Sequence, residues 1–262
     1  MNFSDATNSS FVDVLRREQP HLFAPVTLRP DDVVNVPHGT TVLALSFHEG
    51  VIMAGDRQAT AGYQVASRRI EKIFKADEFS GVGIAGAAGP AVEMAKLFQT
   101  ELEHYEKVEG DSLSLEGKAN KLGQMIRMNL PMAMQGLAVV PIFAGFDVKT
   151  AMGRLFKYDV TGGKYEEANF ESQGSGSKDA RDSLKKMWRK DMTQAEALKV
   201  AIEALIDAAD EDVGTGGPDF IRSIFPTVRI IDRNGFGDVP EAEVRRVCEA
   251  ILTDRTKNGN GA

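Results

Sequence analysis

The sequence predicts a layered fold that mixes strands and helices, with helices covering the outer faces of stacked sheets. Three observations carry this expectation. Strand patterns arrive in groups separated by pairs of helical patterns. The 262 residues, 42% apolar and 26% charged, are enough for a substantial core. No internal repeat suggests a solenoid or propeller.

The elements follow in order. Residues 1–39 stand apart: they hold four of the ten prolines (Pro20, Pro25, Pro30, Pro37), no lysine, and one short helical pattern at 10–17. Proline at that density prevents long helices and central strands, so this leader reads as extended or loop-like. From Thr40 the texture changes. TTVLALSF alternates, HEG supplies a turn and VIMAGD is a compact apolar run, which together predict two paired strands. A glycine-rich strand is expected at 81–86. Pro90 opens a helix to about residue 107, with Met94, Leu97, Phe98, Leu102 and Tyr105 at helical spacing. A second helix is expected over 115–134, striped by Leu115, Leu122, Ile126 and Leu130, with Pro131 kinking or ending it.

Strands are then expected at 139–147 and 154–159, a TGGK turn at 161–164, and a short strand near 168–172. Helices follow at 177–190 and 193–209, the latter opened by a capping box in which Thr193 and Glu196 satisfy each other's free amides. A strand at 223–232, a turn at RNGFGD and a helix over 240–255 complete the pattern, and TKNGNGA reads as a short solvated, flexible tail.

Composition excludes several function classes. No stretch approaches the roughly 18 apolar residues of a membrane helix. The opening MNFSDATNSS lacks the basic and apolar regions of a secretory signal. Cys248, the single cysteine, can make neither an internal disulfide nor a multi-cysteine metal site, which fits a reducing cytoplasmic setting. A net charge of −7 argues against a nucleic-acid partner.

Two glycine motifs mislead. Gly81, Gly83 and Gly86 match G-x-G-x-x-G, with Glu101 and Glu103 near the place of a ribose-binding acid. That fingerprint needs an apolar strand just before its first glycine, whereas KADEFS reads as a charged turn and the glycines lie inside the strand itself. The TGGK turn fails as a phosphate loop, because Tyr158 stands where the first glycine belongs and Tyr165 follows Lys164. Neither H-x-x-x-H nor G-x-S-x-G occurs, and the four histidines (His21, His38, His48, His104) are scattered. Cys248 falls on an amphipathic helical pattern, where a packed thiol is the ordinary reading. No metal and no cofactor are expected.

The H-G-T-T junction remains. A Gly-Thr pair alone usually marks a strand start. Here Thr40 begins the first strand directly after a leader that looks disposable. A cut between Gly39 and Thr40 would give one residue both a hydroxyl nucleophile and a free α-amine. That amine, with a pKa near ~7.7–8.0, can act as general base without any histidine. Gly39 suits the cut because a missing Cβ allows close approach by the hydroxyl.

With the junction in view, the chain resembles the proteasome β-subunit family, in particular its actinobacterial type, from Gly39 to about Arg255. G-T-T at 39–41 resembles the family's processing site. V-I-M-A-G-D-R at 51–57 places Asp56 at the active-site aspartate, and R-R-I-E-K-I-F at 68–74 places Lys72 at the active-site lysine. G-S-G-S at 174–177 matches the motif holding Ser175, and D-V-G-T-G-G-P-D at 212–219 the loop carrying Asp212 and Thr215.

The resemblance implies an α+β fold, a four-layer αββα sandwich of the N-terminal-nucleophile hydrolase type. It implies a propeptide, 1–39, removed by self-cleavage, and a catalytic domain, 40–262. Partners would be α subunits, other β subunits in a seven-membered ring, an ATPase ring activator and unfolded protein substrates. In mechanism, Thr40 would be the nucleophile, Lys72 a positive charge oriented by Asp56, and Ser175, Asp212 and Thr215 the support of amine and water. Gly86 would supply an oxyanion donor. Ala59, Ile70, Ile84, Ala88 and Val92 would line the pocket for the residue before the scissile bond, favouring apolar side chains. Thr60, Gly86 and Ala88 would hold the substrate backbone as an added strand.

Departures from the family pattern are Gln58, where a basic residue is frequent, Lys178 and Asp179 after G-S-G-S, and Pro131 in the second helix. Taken singly, Asp56 is an ordinary turn acid, Lys72 a solvated charge and Ser175 a loop residue; their shared spacing gives them weight. Competing readings are a non-catalytic ring subunit, a two-component bacterial peptidase without α subunits, and a nucleotide-binding module.

Overall fold

The computed structural model describes residues 10–20, 39–61, 64–257 and 259. The leader's His21, His38, Pro25, Pro30 and Pro37 lie outside the described residues. Two five-stranded antiparallel sheets face one another. The first contains β1 (Thr41–Phe47), β2 (Gly50–Gly55), β10 (Phe170–Gly174), β11 (Thr227–Asp232) and β12 (Gly235–Asp238), in the order β10-β1-β2-β11-β12. The second runs β5-β6-β7-β8-β9 through Ile73–Asp77, Ser80–Gly86, Val139–Asp147, Met152–Tyr158 and Lys164–Glu167. A small hairpin, β3 (Ala59–Ala61) with β4 (Gln64–Ser67), projects beside them.

The period of two explains how the layers form. In β1, Leu43, Leu45 and Phe47 face the cluster built with α5 (Ser177–Met187), α6 (Gln194–Glu211) and α7 (Glu241–Lys257). Val42 and Ala44 face the other way and meet Val51, Met53, Ile142 and Leu155 between the sheets. On the second sheet Val82, Ile84, Phe143 and Phe156 pack under α2 (Ala88–Glu109) and α3 (Leu115–Met128). Helices, sheet, sheet, helices: the α+β, four-layer αββα sandwich expected of the family is present. Burial on both faces explains why β2 reads as a compact apolar run.

Several expectations are corrected in detail. The helix expected over 115–134 ends at Met128, and a four-residue helix, α4 (Leu130–Ala133), follows the Asn129 break. Pro131 sits at the start of α4, where a missing N–H costs no intrahelical bond. KADEFS is not simply a turn, because Lys75–Asp77 end β5 and only Glu78 and Phe79 turn the chain into β6. The charged side chains there hid the hairpin. The strand expected from 223 starts at Thr227; before it Ser223 takes a left-handed φ of 51° beside the Asp219–Ile224 bridge. The short strands β3, β4, β9 and β12 were too brief or too polar to announce themselves.

The glycine fingerprint has a packing reason. A Cβ on Gly81 would lie 2.6 Å from the Phe236 ring, and one on Gly83 would lie 3.0 Å from Ile73 Cδ1 and 3.3 Å from Met53 Cε. These alternating glycines let the two sheets approach, which accounts for them without a nucleotide.

The described part of the leader is anchored. Helix α1 (Phe11–Glu18) opens with Ser10 as N-cap and lies against α2. Val12 is buried, and its N–H donates to the buried Glu101 carboxylate at 2.5 Å, the arrangement a helix N-terminus favours. Lys121 neutralises Glu101 at 2.7 Å. Among the described residues no helix is long and apolar enough to cross a membrane.

Candidate active site

Thr40 sits at the mouth between the two sheets, immediately before β1, and is 7% exposed. Its backbone is fixed by Ser175 N–H, which donates to the Thr40 carbonyl at 2.8 Å. Gly174, at φ +109°, makes this approach possible, since a Cβ there would fall 1.9 Å from the Thr40 oxygen. The Thr40 hydroxyl donates to the Gly39 carbonyl at 2.6 Å. Gly39 is wedged in turn: its N–H donates to Thr60 Oγ1 at 3.0 Å, and a Cβ would meet Thr60 Oγ1 at 2.4 Å and Gly214 O at 2.7 Å.

Asp56 follows β2 and is 1% exposed. Four donors converge on it from four segments of the chain. Oδ1 accepts from Thr41 N–H at 2.8 Å and Lys72 Nζ at 2.5 Å; Oδ2 accepts from Gln58 N–H at 2.8 Å and Gly216 N–H at 2.9 Å. Lys72, just before β5 and 3% exposed, also donates to the Gln58 carbonyl at 2.6 Å. Burial pushes the Lys72 ammonium below the usual lysine range, and the Asp56 charge and hydrogen bond oppose that fall. A buried, paired cation whose proton affinity is shaped by its surroundings is the kind of group that serves an active centre.

The third cluster has one consistent set of proton directions. Thr215 donates to Asp212 Oδ2 at 2.6 Å, so the 2.6 Å contact between the Thr41 and Thr215 hydroxyls must run from Thr41 to Thr215. Gly176 N–H then donates to Thr41 Oγ1 at 3.0 Å. Ser175 gives its proton to the same Asp212 oxygen at 2.5 Å, which leaves its lone pairs to accept from Thr40 N–H at 3.4 Å. Asp212 therefore orients two hydroxyl chains, one ending at the Thr40 nitrogen.

A cavity opens beside Thr40. Ala59, Ile70, Ile84, Ala88 and Val92 all line it, as does Gly86. Gly86 has φ +118°, and a Cβ would lie 2.1 Å from Ala138 O, so only glycine fits. Beside these uncharged residues Glu71 and Lys72 also reach the lining, with Arg229 3.6 Å from the Glu71 carboxylate. The site residues expected from sequence thus converge on one place.

Sequence reading missed Thr41, whose hydroxyl joins the Thr215 chain, and it noted Gln58 only as a departure. Thr41 could have been found as the neighbour whose side chain alternation sends away from Thr40's. It also missed Phe74 and Ala91 on the cavity wall; Ala91 was legible as the residue one helical turn after Ala88. Lys178 and Asp179 open α5, where Asp179 complements the helix N-terminus. Among the described residues no group of three or more metal-ligating side chains is assembled.

The family described as "Proteasome subunit" matches residues 36–220. A protein of Streptomyces griseus named "Proteasome subunit beta" is 53% identical over 256 residues, 97% of this chain and 91% of the relative. Proteins of the same name in Frankia casuarinae and Acidimicrobium ferrooxidans are 50% and 56% identical, over 99% and 87% of this chain and 95% and 82% of their own lengths.

Proposed function

The chain belongs to the proteasome subunit family as a β subunit, a threonine-type hydrolase that assembles into rings, and we propose that Thr40 is its nucleophile, uncovered by self-cleavage after Gly39. The observation that carries this is the 2.6 Å contact between the Thr40 hydroxyl and the Gly39 carbonyl, with Gly39 held by Thr60 as a substrate residue would be.

In self-cleavage, Thr40 Oγ forms a bond to the Gly39 carbonyl carbon, the C–N bond breaks, and the hydroxyl proton passes to the departing nitrogen. Water then hydrolyses the ester, leaving a Gly39 carboxylate and a free Thr40 α-amine. The amine cannot be the base for this first step, because it is still tied in the amide. A water held by Lys72 and Ser175 takes that part.

In the mature chain the hydroxyl attacks a substrate peptide carbonyl and its proton moves to the α-amine, which donates it to the leaving amine. Water hydrolyses the resulting acyl-enzyme. Ser175, oriented by Asp212, accepts a hydrogen bond from the amine and fixes its lone pair; Thr215 and Thr41 fix Asp212. Lys72, steadied by Asp56, favours the alkoxide electrostatically. Gly86 supplies the N–H that stabilises the oxyanion. The cavity of Ala59, Ile70, Ile84, Ala88 and Val92 takes apolar side chains, and Thr60, Gly86 and Ala88 hold the substrate backbone. The setting is cytoplasmic, with α subunits and an ATPase ring as partners and unfolded proteins as substrates.

The test is the intact mass of the chain after co-expression with its α partner, beside Thr40→Ala. Loss of residues 1–39 in the parent alone is expected. An uncut parent in assembled particles would refute the assignment and leave a structural ring subunit.

A further inference from the structure

Gln58 is 8% exposed, and all four of its polar groups are engaged. Its backbone serves the buried ion pair, donating to Asp56 and accepting from Lys72. Its side chain does something separate. Nε2 donates to the Val213 carbonyl at 2.9 Å, while Oε1 accepts from Arg68 at 3.4 Å. The two partners together fix which end of the amide is which, since only the nitrogen can donate to a carbonyl.

Val213 lies between Asp212 and Gly214 in the loop that orients Ser175 and Thr215. Val213 is 91% exposed, so packing does not hold this residue down. Two bonds tie the loop to the Asp56 side of the site: Gly216 N–H to Asp56, and the Gln58 amide to Val213. The loop passes close to both neighbours. A Cβ on Gly216 would fall 2.8 Å from Gln58 Cβ, and one on Gly214 would fall 2.8 Å from Ser175 Oγ.

We infer that the Gln58 carboxamide is a positioning residue for the threonine site, latching the 212–216 loop to the Asp56–Lys72 pair so that Asp212 stays aligned on Ser175 and Thr215. This rests on the reading of Thr40 as nucleophile. It goes further by giving a task to the one side chain beside the ion pair that departs from the family's frequent basic residue. The latch needs a donor long enough to reach Val213. An amide supplies it without adding a charge beside Lys72, and its other end binds Arg68.

Three variants of the full chain, assembled with the α partner, separate the donor from bulk. Gln58→Glu keeps the size but turns the donor into an acceptor facing a carbonyl. Gln58→Leu removes both polar ends. Gln58→Arg restores a donor that can reach Val213. The readouts are kcat and KM on an apolar fluorogenic peptide, with intact mass reporting processing in the same preparations.

Gln58→Glu and Gln58→Leu are expected to lower kcat about tenfold, the scale of one lost buried hydrogen bond, with KM within about twofold. Gln58→Arg is expected to recover most of kcat. The latch is overturned if either Gln58→Glu or Gln58→Leu leaves kcat within about twofold of the parent. Failure of the nucleophile reading shows differently: Thr40→Ala would still be cut, whatever Gln58 does.

Discussion

Replacing Asp56 by asparagine is the sharpest test of how the site is held, because it changes charge and donor count while keeping shape. Four donors meet this carboxylate, two on each oxygen. An amide has only one accepting end. Whichever way the substituted amide turned, its NH2 would face two donors. The less costly orientation keeps Lys72 and Thr41 N–H on the oxygen and leaves the Gln58 and Gly216 N–H groups buried without acceptors. Each such orphan costs roughly 1–3 kcal/mol, so the pair costs about 4 kcal/mol. Lys72 also loses its counter-charge; burial already pushes it toward the neutral amine, which limits that further cost.

For a domain of this size 1 kcal/mol is roughly 2–4 °C, so the expected fall is about 10 °C in Tm. The assay is scanning calorimetry of full chains carrying Thr40→Ala, with and without Asp56→Asn, so that neither is cut. Adding Lys72→Met is expected to recover only a minor part, because the orphaned groups are backbone N–H. A fall under about 3 °C, or full recovery with Lys72→Met, would refute the reasoning.

Two other outcomes are expected. Gly174→Ala puts a Cβ 1.9 Å from the Thr40 carbonyl oxygen at a φ of +109°, so peptidase activity should fall at least about a hundredfold, from a nucleophile misplaced by about an ångström; the check is peptide turnover by assembled particles, and a loss under tenfold contradicts it. Burial pushes the Cys248 thiol from 9.0 up to about 12, so the native chain should react with a thiol reagent at pH 8 far more slowly than the chain in denaturant. The sign for stability follows: between pH 9 and about 12 the unfolded thiol ionises first, so the Cys248 contribution is intact below pH 9 and is lost as pH rises through that window. A Cys248→Ala chain whose stability declines as steeply over pH 9–12 as the parent's would contradict it.

The sequence by itself determined the parts of the protein that depend on local pattern. The patterns at 41–47 and 50–55 read as two paired strands, and both form as expected. The capping box at Thr193 and Glu196 forms as expected, because its two bonds lie within one helical turn. The positions of Thr40, Asp56 and Lys72 were readable through the resemblance to the family's motifs at 39–41, 51–57 and 68–74, whose spacing agrees without gaps. What the tertiary structure decided is everything that depends on which elements approach each other. β5 was hidden by its charged residues: Lys75 is exposed and Asp77 pairs with Lys118 of α3, while Ile73 and Ala76 are buried. Gly81 and Gly83 look like a nucleotide loop in sequence, and only the second sheet lying against them shows why a side chain cannot stand there. Glu101 reads as one more charge on a helix until α1 lies over it. The contact of Gln58 was likewise invisible, since its partner Val213 is more than 150 residues away along the chain. Sequence pattern encodes which face of an element is apolar; which distant polar groups then meet is fixed only when the layers close.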